Sequence, residues 1–338
     1  MRRAYQEARQ RAVSIDRSSR GRLVVSGSDR ASYLHGLLTN DITSLHAGAG
    51  CYAAYLTPQG RMISDLWVYE LGDLILLNLP SVATKDTVLA KLDQFIFSED
   101  VQLGDVTSAF GQIAVVGPEA AAVVATLMGE RDERLTSLAE HGCLRGSMAG
   151  SAVIVTRVTD TGEPGFDLYV DAAQIDAVRQ TLLSRGVDGA DADTVETLRV
   201  EAGIPLFHQD MTDDTIPLEA GIESRAISMT KGCYVGQEVI VRVLHRGHGR
   251  VAKKLVGLTL AGDQVPANGA AVTSSDESIG RVTSAVQSIA LGRPIALAYV
   301  QRDFAEPGTD VSVIGARAVV TALPFVAATD LSRSDRTR

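Results

Sequence analysis

Along residues 22–79 the apolar positions alternate over short runs, and each run ends at a turn signal. Residues 22–26 predict a strand. Ser28 stands where an N-cap would open a helix that aligns Leu34, Leu37 and Leu38 on one face and ends at Asn40-Asp41. Strands follow at 51–56, 61–69 and 74–79, separated by Thr57-Pro58-Gln59-Gly60 and by Leu71-Gly72-Asp73, which makes an antiparallel meander. The period then lengthens. After Ser81, a second N-cap, the residues Val88, Leu89, Leu92, Phe95 and Ile96 recur at helical spacing and cover one face of the sheet.

A related order returns later, with strands at 152–158 and 165–171 and a helix through Ile175, Val178, Leu182 and Leu183 that closes at Gly186. Between the two units, residues 112–116 predict a strand, and Pro118 reads as the first residue of an Ala-rich helix. From about Lys254 the texture changes to short alternating strands: Val256, Leu258 and Leu260, then 279–286, 295–300 and 311–314. Gly and Pro punctuate them, as in a small β-barrel or sandwich. The expected fold class is α+β. Residues 1–245 form one region of two similar halves, about 1–110 and 111–245, followed by a β-barrel domain at 250–326 and a polar, disordered tail at 327–338.

At 338 residues and 45% hydrophobic, the chain can bury more than one core. Its 32 Lys and Arg against 41 Asp and Glu give a net charge of −9, so no global positive field holds nucleic acid and such a partner would need a local patch. No apolar run reaches the roughly 18 residues that span a bilayer. Met1-Arg2-Arg3 lacks the apolar stretch of a signal peptide, so the expectation is a cytoplasmic protein with no membrane partner. Cys51, Cys143 and Cys233 lie far apart, with no CxxC pair and no His at zinc-ligand spacing, which points away from a disulfide framework or a metal site. An iron–sulfur cluster held by one chain usually takes about four cysteines, so any cluster role here is indirect or shared.

The densest chemistry lies between Pro217-Leu218-Glu219-Ala220-Gly221 and Lys231-Gly232-Cys233-Tyr234-Val235-Gly236-Gln237-Glu238. With a helix starting from Tyr234, Cys233 would sit at its N-terminus near Lys231 and Arg242, where dipole and cations favour thiolate; the competing reading is an ordinary buried cysteine. Residues 239–262 carry no acid, while Arg242, Arg246, Arg250, Lys253 and Lys254 accompany His245 and His248. That strip either holds a polyanion, such as a folate glutamate tail or RNA, or is a solvated linker. The turn Gly162-Glu163-Pro164-Gly165-Phe166-Asp167 delivers Asp167 onto a strand beside Tyr169. There the carboxylate either accepts two N–H bonds from a flat heterocycle or meets water. Asp65 sits in a largely apolar strand, on its wet face or held for chemistry. Gly48-Ala49-Gly50 precedes a strand instead of following one, and no GxxxxGK[ST] or GxSxG occurs, which excludes the common nucleotide and hydrolase signatures.

The octapeptide KGCYVGQE resembles the signature of the YgfZ family, folate-binding relatives of the glycine-cleavage T-protein that support iron–sulfur enzymes. The resemblance continues over most of the chain. Residues 33–41 look like the family's early helix and its TND ending, 162–167 like the TGExGxE element, Arg199 to Gly203 like RxExG, and Pro217 to Gly221 like PxEAG. Gly280-Arg281-Val282-Thr283-Ser284 and Ala296-Leu297-Ala298-Tyr299-Val300 look like the closing barrel.

The resemblance implies domains arranged around a central tetrahydrofolate site, with Asp167 and Tyr169 gripping the pterin and Arg199 and Glu201 lining or supporting the pocket. It makes Cys233 the working residue of the motif formed by Lys231, Gly232, Tyr234, Gly236, Gln237 and Glu238. Where the T-protein shows two acids, one of them catalytic, this chain has Ser64-Asp65, a departure that points away from aminomethyl transfer. The expected function is a tetrahydrofolate-binding protein that assists assembly or maintenance of iron–sulfur enzymes, with those enzymes or cluster-assembly proteins as partners. The alternative is a folate-dependent aminomethyltransferase, with Asp65 catalytic.

Overall fold

The computed structural model of the chain describes residues 1–148, 150–245 and 250–327. The expected tail from 328 onward therefore lies outside the described residues, as do Arg246 and His248 of the basic strip.

Two antiparallel five-stranded sheets share one spatial order. The first runs Gly50–Leu56, Met62–Glu70, Ile75–Leu79, Gly21–Ser26, Gln102–Asp105, and the second runs Cys143–Met148, Ser151–Val158, Gly165–Asp171, Phe110–Val116, Val13–Asp16. In each, the strand next to the edge leads into a helix, Arg30–Leu37 or Ala120–Met128. A three-strand meander follows, and then a second helix, Val82–Asp93 or Ile175–Ser184. The repeat is not a simple halving of the chain. The outer strand of the second sheet is Val13–Asp16, taken from the N-terminus and paired antiparallel with Phe110–Val116.

Sequence expectation and structure differ mainly at element ends. Ser28 is not the cap of the first-sheet helix: its amide and hydroxyl both donate to Asp100, and the helix starts after Asp29. The Ala-rich helix starts at Ala120, behind Glu119, so Pro118 precedes the cap. Ser81 does cap Val82–Asp93 through the Thr84 amide at 3.1 Å, but that helix ends before Phe95. The helix Arg2–Gln10 and the strands Val13–Asp16, Gln102–Asp105 and Cys143–Met148 were not among the expected elements. The helix buries only Tyr5 and Ala8 in a mostly charged segment, and Gln102–Asp105 is an exposed or half-buried edge, so neither shows a series of large apolar residues.

Each sheet packs the two helices of its own repeat against one face. In Met62–Glu70 the side chains of Leu66 and Val68 enter the helix-covered core, and alternation places Ser64 on that same face. Asp65, Trp67 and Tyr69 take the opposite face. In the second sheet Phe166, Leu168 and Val170 enter the covered core, which leaves Asp167 and Tyr169 on the other side. These other faces meet in part through Trp67, Tyr69, Leu71, Leu76, Cys143, Ile154 and Tyr169, while the rest of the first packs against residues 207–240 and the rest of the second against the helix Arg2–Gln10 and Leu198. Acids from both sheets are thereby aimed into one interface.

Residues 192–245 add short helices, Ala192–Glu201, Pro217–Ala220, Glu223–Ala226 and Gln237–His245. A closed six-stranded barrel follows, built from Lys253–Leu260, Ala271–Ser274, Glu277–Ser288, Arg293–Gln301, Asp310–Val313 and Ala316–Thr321. The barrel is thus the closed alternative of the two expected, with the second and the last of these strands added to the four legible runs. No helix among the described residues is long and apolar enough to cross a membrane.

Candidate functional site

Where the sheet interface opens toward the later helices, it leaves a cavity of about 290 Å³. Its walls include Arg17, Arg20, Tyr52, Asp65, Trp67, His141, Asp160, Thr161, Arg199 and Arg225. A wider opening of about 890 Å³, reaching the barrel side at Leu255 and Leu323, shares Glu140, Thr159, Ile204, Pro205 and Arg225 with it.

Asp65 is 4% exposed and accepts the Tyr52 hydroxyl at 2.7 Å on Oδ2, while Oδ1 has no hydrogen-bond partner. Burial raises its carboxyl above the ordinary range, against the pull of the Tyr52 bond and of Arg20 and Arg225. The two arginines lie on aromatic faces, Arg20 over Trp67 at 4.7 Å and Arg225 over Tyr52 at 5.3 Å. Asp160 is clamped by Arg17 at 2.5 Å and Arg20 at 2.6 Å. Burial alone would raise this carboxyl, but the two guanidiniums hold it well below the usual range. The site therefore contains one acid fixed as a carboxylate, Asp160, and one that retains its proton more readily, Asp65.

The residues expected to grip a pterin are placed differently. Asp167 is fully buried under Arg17, whose Nη1 donates to both carboxylate oxygens at 2.9 and 3.1 Å, and Gln112 donates at 2.8 Å. Asp167 holds Arg17, and Arg17 lines the cavity. Tyr169 is packed in the sheet interface behind it. Glu201 accepts Tyr5 and Arg9 at 2.6 Å on one oxygen and Ser288 at 2.6 Å on the other. Arg9 also donates to Glu163, so the acids of the TGE and RxExG elements fasten the N-terminal helix. Asp167, Tyr169 and Glu201 are absent from the cavity lining.

Arg199 does line it, yet all five of its N–H groups are spent on Glu196, Ile204, Asp210 and Ser284 at 2.5–2.9 Å. It joins its helix to the barrel, with no donor left for a ligand.

Ser64 is buried on the helix-covered face and donates to the Asp65 carbonyl at 2.5 Å. The first position of the Ser64-Asp65 pair thus points away from the cavity, and a serine there subtracts no acid from it. This overturns the inference drawn from the departure at Ser64.

The octapeptide lies outside the cavity lining. Lys231 donates to the carbonyls of His35, Leu38 and Asn40 at 2.5, 2.6 and 3.0 Å, and burial lowers its amine to about 8. The Val235 amide donates to the Gly36 carbonyl at 3.3 Å and Tyr234 is buried. Gly236, at φ +84, has no room for a Cβ, which would come 2.5 Å from the Thr57 carbonyl. The helix begins at Gln237, behind Gly236, so it does not start at Tyr234 and Cys233 is not its first residue. Cys233 is exposed and has no hydrogen bond among the described residues, which overturns the buried alternative. Gly232 is also exposed, with nothing within 4 Å of where a Cβ would stand.

Sequence reading missed Arg17, Arg20, Tyr52, His141, Asp160 and Arg225. Asp160 adjoins the TGE element, a weak signal, and Tyr52 stands in the strand expected at 51–56 without being marked as a site residue; the others sit in turns or a short helix with no period.

Comparison with known proteins assigns the lineage. The GCVT N-terminal domain matches residues 1–231, and the glycine cleavage T-protein C-terminal barrel domain matches residues 253–326. An aminomethyltransferase of Streptomyces avermitilis is 33% identical over 327 residues, covering 94% of this chain and 87% of the relative. One from Listeria monocytogenes serotype 4a is 32% identical over 313 residues, covering 91% and 84%. The glycine cleavage system aminomethyltransferase T of Bartonella henselae has the same fold, with a TM-score of 0.87 at 24% identity over 96% of this chain and 89% of that one. With both domains matched in order and full-length relatives above 30% identity, this chain belongs to the glycine cleavage T-protein family.

Proposed function

We propose that the chain binds a reduced folate in the cavity between its two sheets and acts on the one-carbon unit it carries, as a folate-dependent aminomethyl or related one-carbon transferase. Tetrahydrofolate is what the aminomethyltransferases of this family use. One observation carries the reading for this chain. Four buried polar atoms without a hydrogen-bond partner, Asp65 Oδ1, His141 Nδ1, Thr161 Oγ1 and Arg20 Nη1, the last held only by an ion pair to Asp167 at 3.8 Å, belong to residues lining this one cavity. An unpaired buried polar group costs on the order of 1–3 kcal/mol, so four in one cavity favour a ligand that supplies partners. The mixture of donors and acceptors beside the Tyr52 and Trp67 rings suits a flat heterocycle with a polar edge.

The bound folate would supply the nitrogen that carries the one-carbon unit. Asp65, with its carboxyl raised by burial, would hold or move a proton at Oδ1, and Tyr52 fixes its other oxygen. Arg20 and Arg225, seated on the Trp67 and Tyr52 rings, would favour the carboxylate form of Asp65 once the proton has moved.

A second reading, support of iron–sulfur enzymes through Cys233, is favoured by the anchoring of KGCYVGQE. Lys231, Tyr234, Val235 and Gly236 are fastened on both sides of a thiol that stays exposed. A strain lacking the gene separates the two. Under the transferase reading, Asp65→Asn loses aminomethyl transfer to tetrahydrofolate and Cys233→Ala keeps it. Loss of iron–sulfur enzyme activities with Cys233→Ala alone would replace the first reading by the second.

A further inference from the structure

His141 ends the turn before the strand Cys143–Met148, and the sequence offers no period or motif to mark it. Its backbone is left-handed, at φ 61. For a residue with a Cβ that conformation costs on the order of 1–2 kcal/mol and persists only where the surroundings enforce it. They do so here. Gly142 N donates to the Ala139 carbonyl and Cys143 N to the Gly48 carbonyl, both at 2.8 Å. The His141 carbonyl also lies so close to Gly50 that a Cβ there would stand 2.4 Å from it. Of the five non-glycine residues with positive φ among the described residues, His141 alone lines the cavity.

The ring is mostly buried, with 16% of the side chain exposed, and Nδ1 has no partner. Glu140 Oε1 stands 3.7 Å from Nε2, an attraction that favours the tautomer with its proton there and leaves Nδ1 as an acceptor. We propose that His141 is a ligand-contacting residue of the cavity, its neutral imidazole accepting one N–H of the bound heterocycle through Nδ1. This rests on the cavity being the folate site.

The charged groups acting on the ring are Glu140 and Asp160, which favour the imidazolium, and Arg225, which opposes it; burial outweighs them and moves the ring below its usual value. The ring is therefore neutral at physiological pH, the state in which an acceptor exists. Among the described residues no three His, Cys, Asp or Glu side chains are grouped to hold a metal.

Anaerobic calorimetric titration with tetrahydrofolate from pH 5 to 8 tests this on wild type, His141→Phe and His141→Asn, with thermal unfolding as a folding check. Wild-type affinity should be level above about pH 6.5 and weaken below it as the ring protonates. His141→Phe should bind about tenfold more weakly at pH 7.5, the worth of one hydrogen bond, and should lose that slope. Asp65 remains in every variant, so the slope that vanishes belongs to the ring. His141→Asn tolerates the left-handed backbone and keeps an acceptor, so it should bind more tightly than the Phe variant while showing the same flat profile. If His141→Phe fails to fold, the flat profile of His141→Asn carries the test. A wild type that binds while the folded variants match it in affinity and pH dependence overturns the role of His141 alone. A wild type that binds no tetrahydrofolate overturns the cavity reading, and this inference with it.

Discussion

The ammonium of Lys231 lies 2.5 Å from the carbonyl of His35, 196 positions earlier in the chain. A helix leaves its last four carbonyls without internal partners, and a cation near its C-terminus also meets the negative end of the dipole. Lys231 and the Val235 amide satisfy two such carbonyls of the helix Arg30–Leu37, those of His35 and Gly36. The lysine of the octapeptide is thus a cap delivered from a distant segment, and it joins the TND and KGCYVGQE elements.

Replacing Lys231 with Met should therefore destabilise the fold by about 2 kcal/mol, because the carbonyls of His35, Leu38 and Asn40 lose their donor at once. Lys231→Arg should recover only part of this, since a planar guanidinium does not reproduce three converging bonds. Urea denaturation measures both. A Met variant as stable as wild type would remove the capping role.

Asp65 presents the opposite case, a group whose burial opposes folding. Its folded carboxyl lies above the ordinary range, so as pH rises past about 4 the unfolded chain releases this proton first. Asp65's contribution to stability consequently falls as pH rises through the interval between the unfolded and folded values. Asp65→Asn should be more stable than wild type at pH 7, by about 1 kcal/mol, while the gap closes near pH 4. Ligand-dependent activity should be lost in the same variant. Melting temperatures of both proteins across pH 4 to 8 decide it, and a less stable Asn variant at pH 7 would show that Asp65 is compensated in the folded state.

These two residues also mark what a sequence discloses. The meander and the barrel were legible because alternation at residues 51–79 and 254–300 records one wet or partnered face directly. The helix Arg2–Gln10 was not, because what fastens it is Arg9 and Tyr5 on Glu163 and Glu201, contacts between positions more than 150 apart. Asp65 was legible as an acid in an apolar strand. That Ser64 faces the other way follows from strand alternation, but only the packed structure says which face holds the cavity. Arg17 and Arg20 come from one turn, His141 and Asp160 from two others and Arg225 from a short helix, and their convergence is a tertiary fact with no local pattern.

Arg199 should prove a structural residue of the cavity wall. Its guanidinium bridges Glu196 and Asp210 and reaches Ser284 on the barrel. Arg199→Met leaves Asp210 buried without its cation and should cost about 3 kcal/mol. Tetrahydrofolate affinity of the folded variant should stay within about twofold, because no N–H of Arg199 is free. Calorimetry on the variant, below its melting temperature, measures this. Lost affinity with unchanged stability would assign Arg199 to the ligand.

The three cysteines should separate sharply in reactivity, because only the thiolate attacks and only an accessible one is reached. Burial pushes the Cys51 thiol up to about 12 despite the nearby Lys231, and pushes Cys143 up to about 11. Both also stand in packed surroundings, Cys143 against the carbonyls of Ala49 and Glu70. Cys233 is exposed in a segment whose neighbours are fastened. Native protein treated with iodoacetamide at pH 7.5 should therefore carry label first on Cys233, with the other two modified only after unfolding. Cys233→Ser should leave stability within about 0.5 kcal/mol, as expected of an exposed site without partners. Labelling resolved by mass spectrometry tests the first statement and denaturation the second. Equal labelling of all three thiols would mean that the fold opens faster than alkylation. A destabilised Ser variant would make Cys233 a packing residue and leave the second functional reading without its observation.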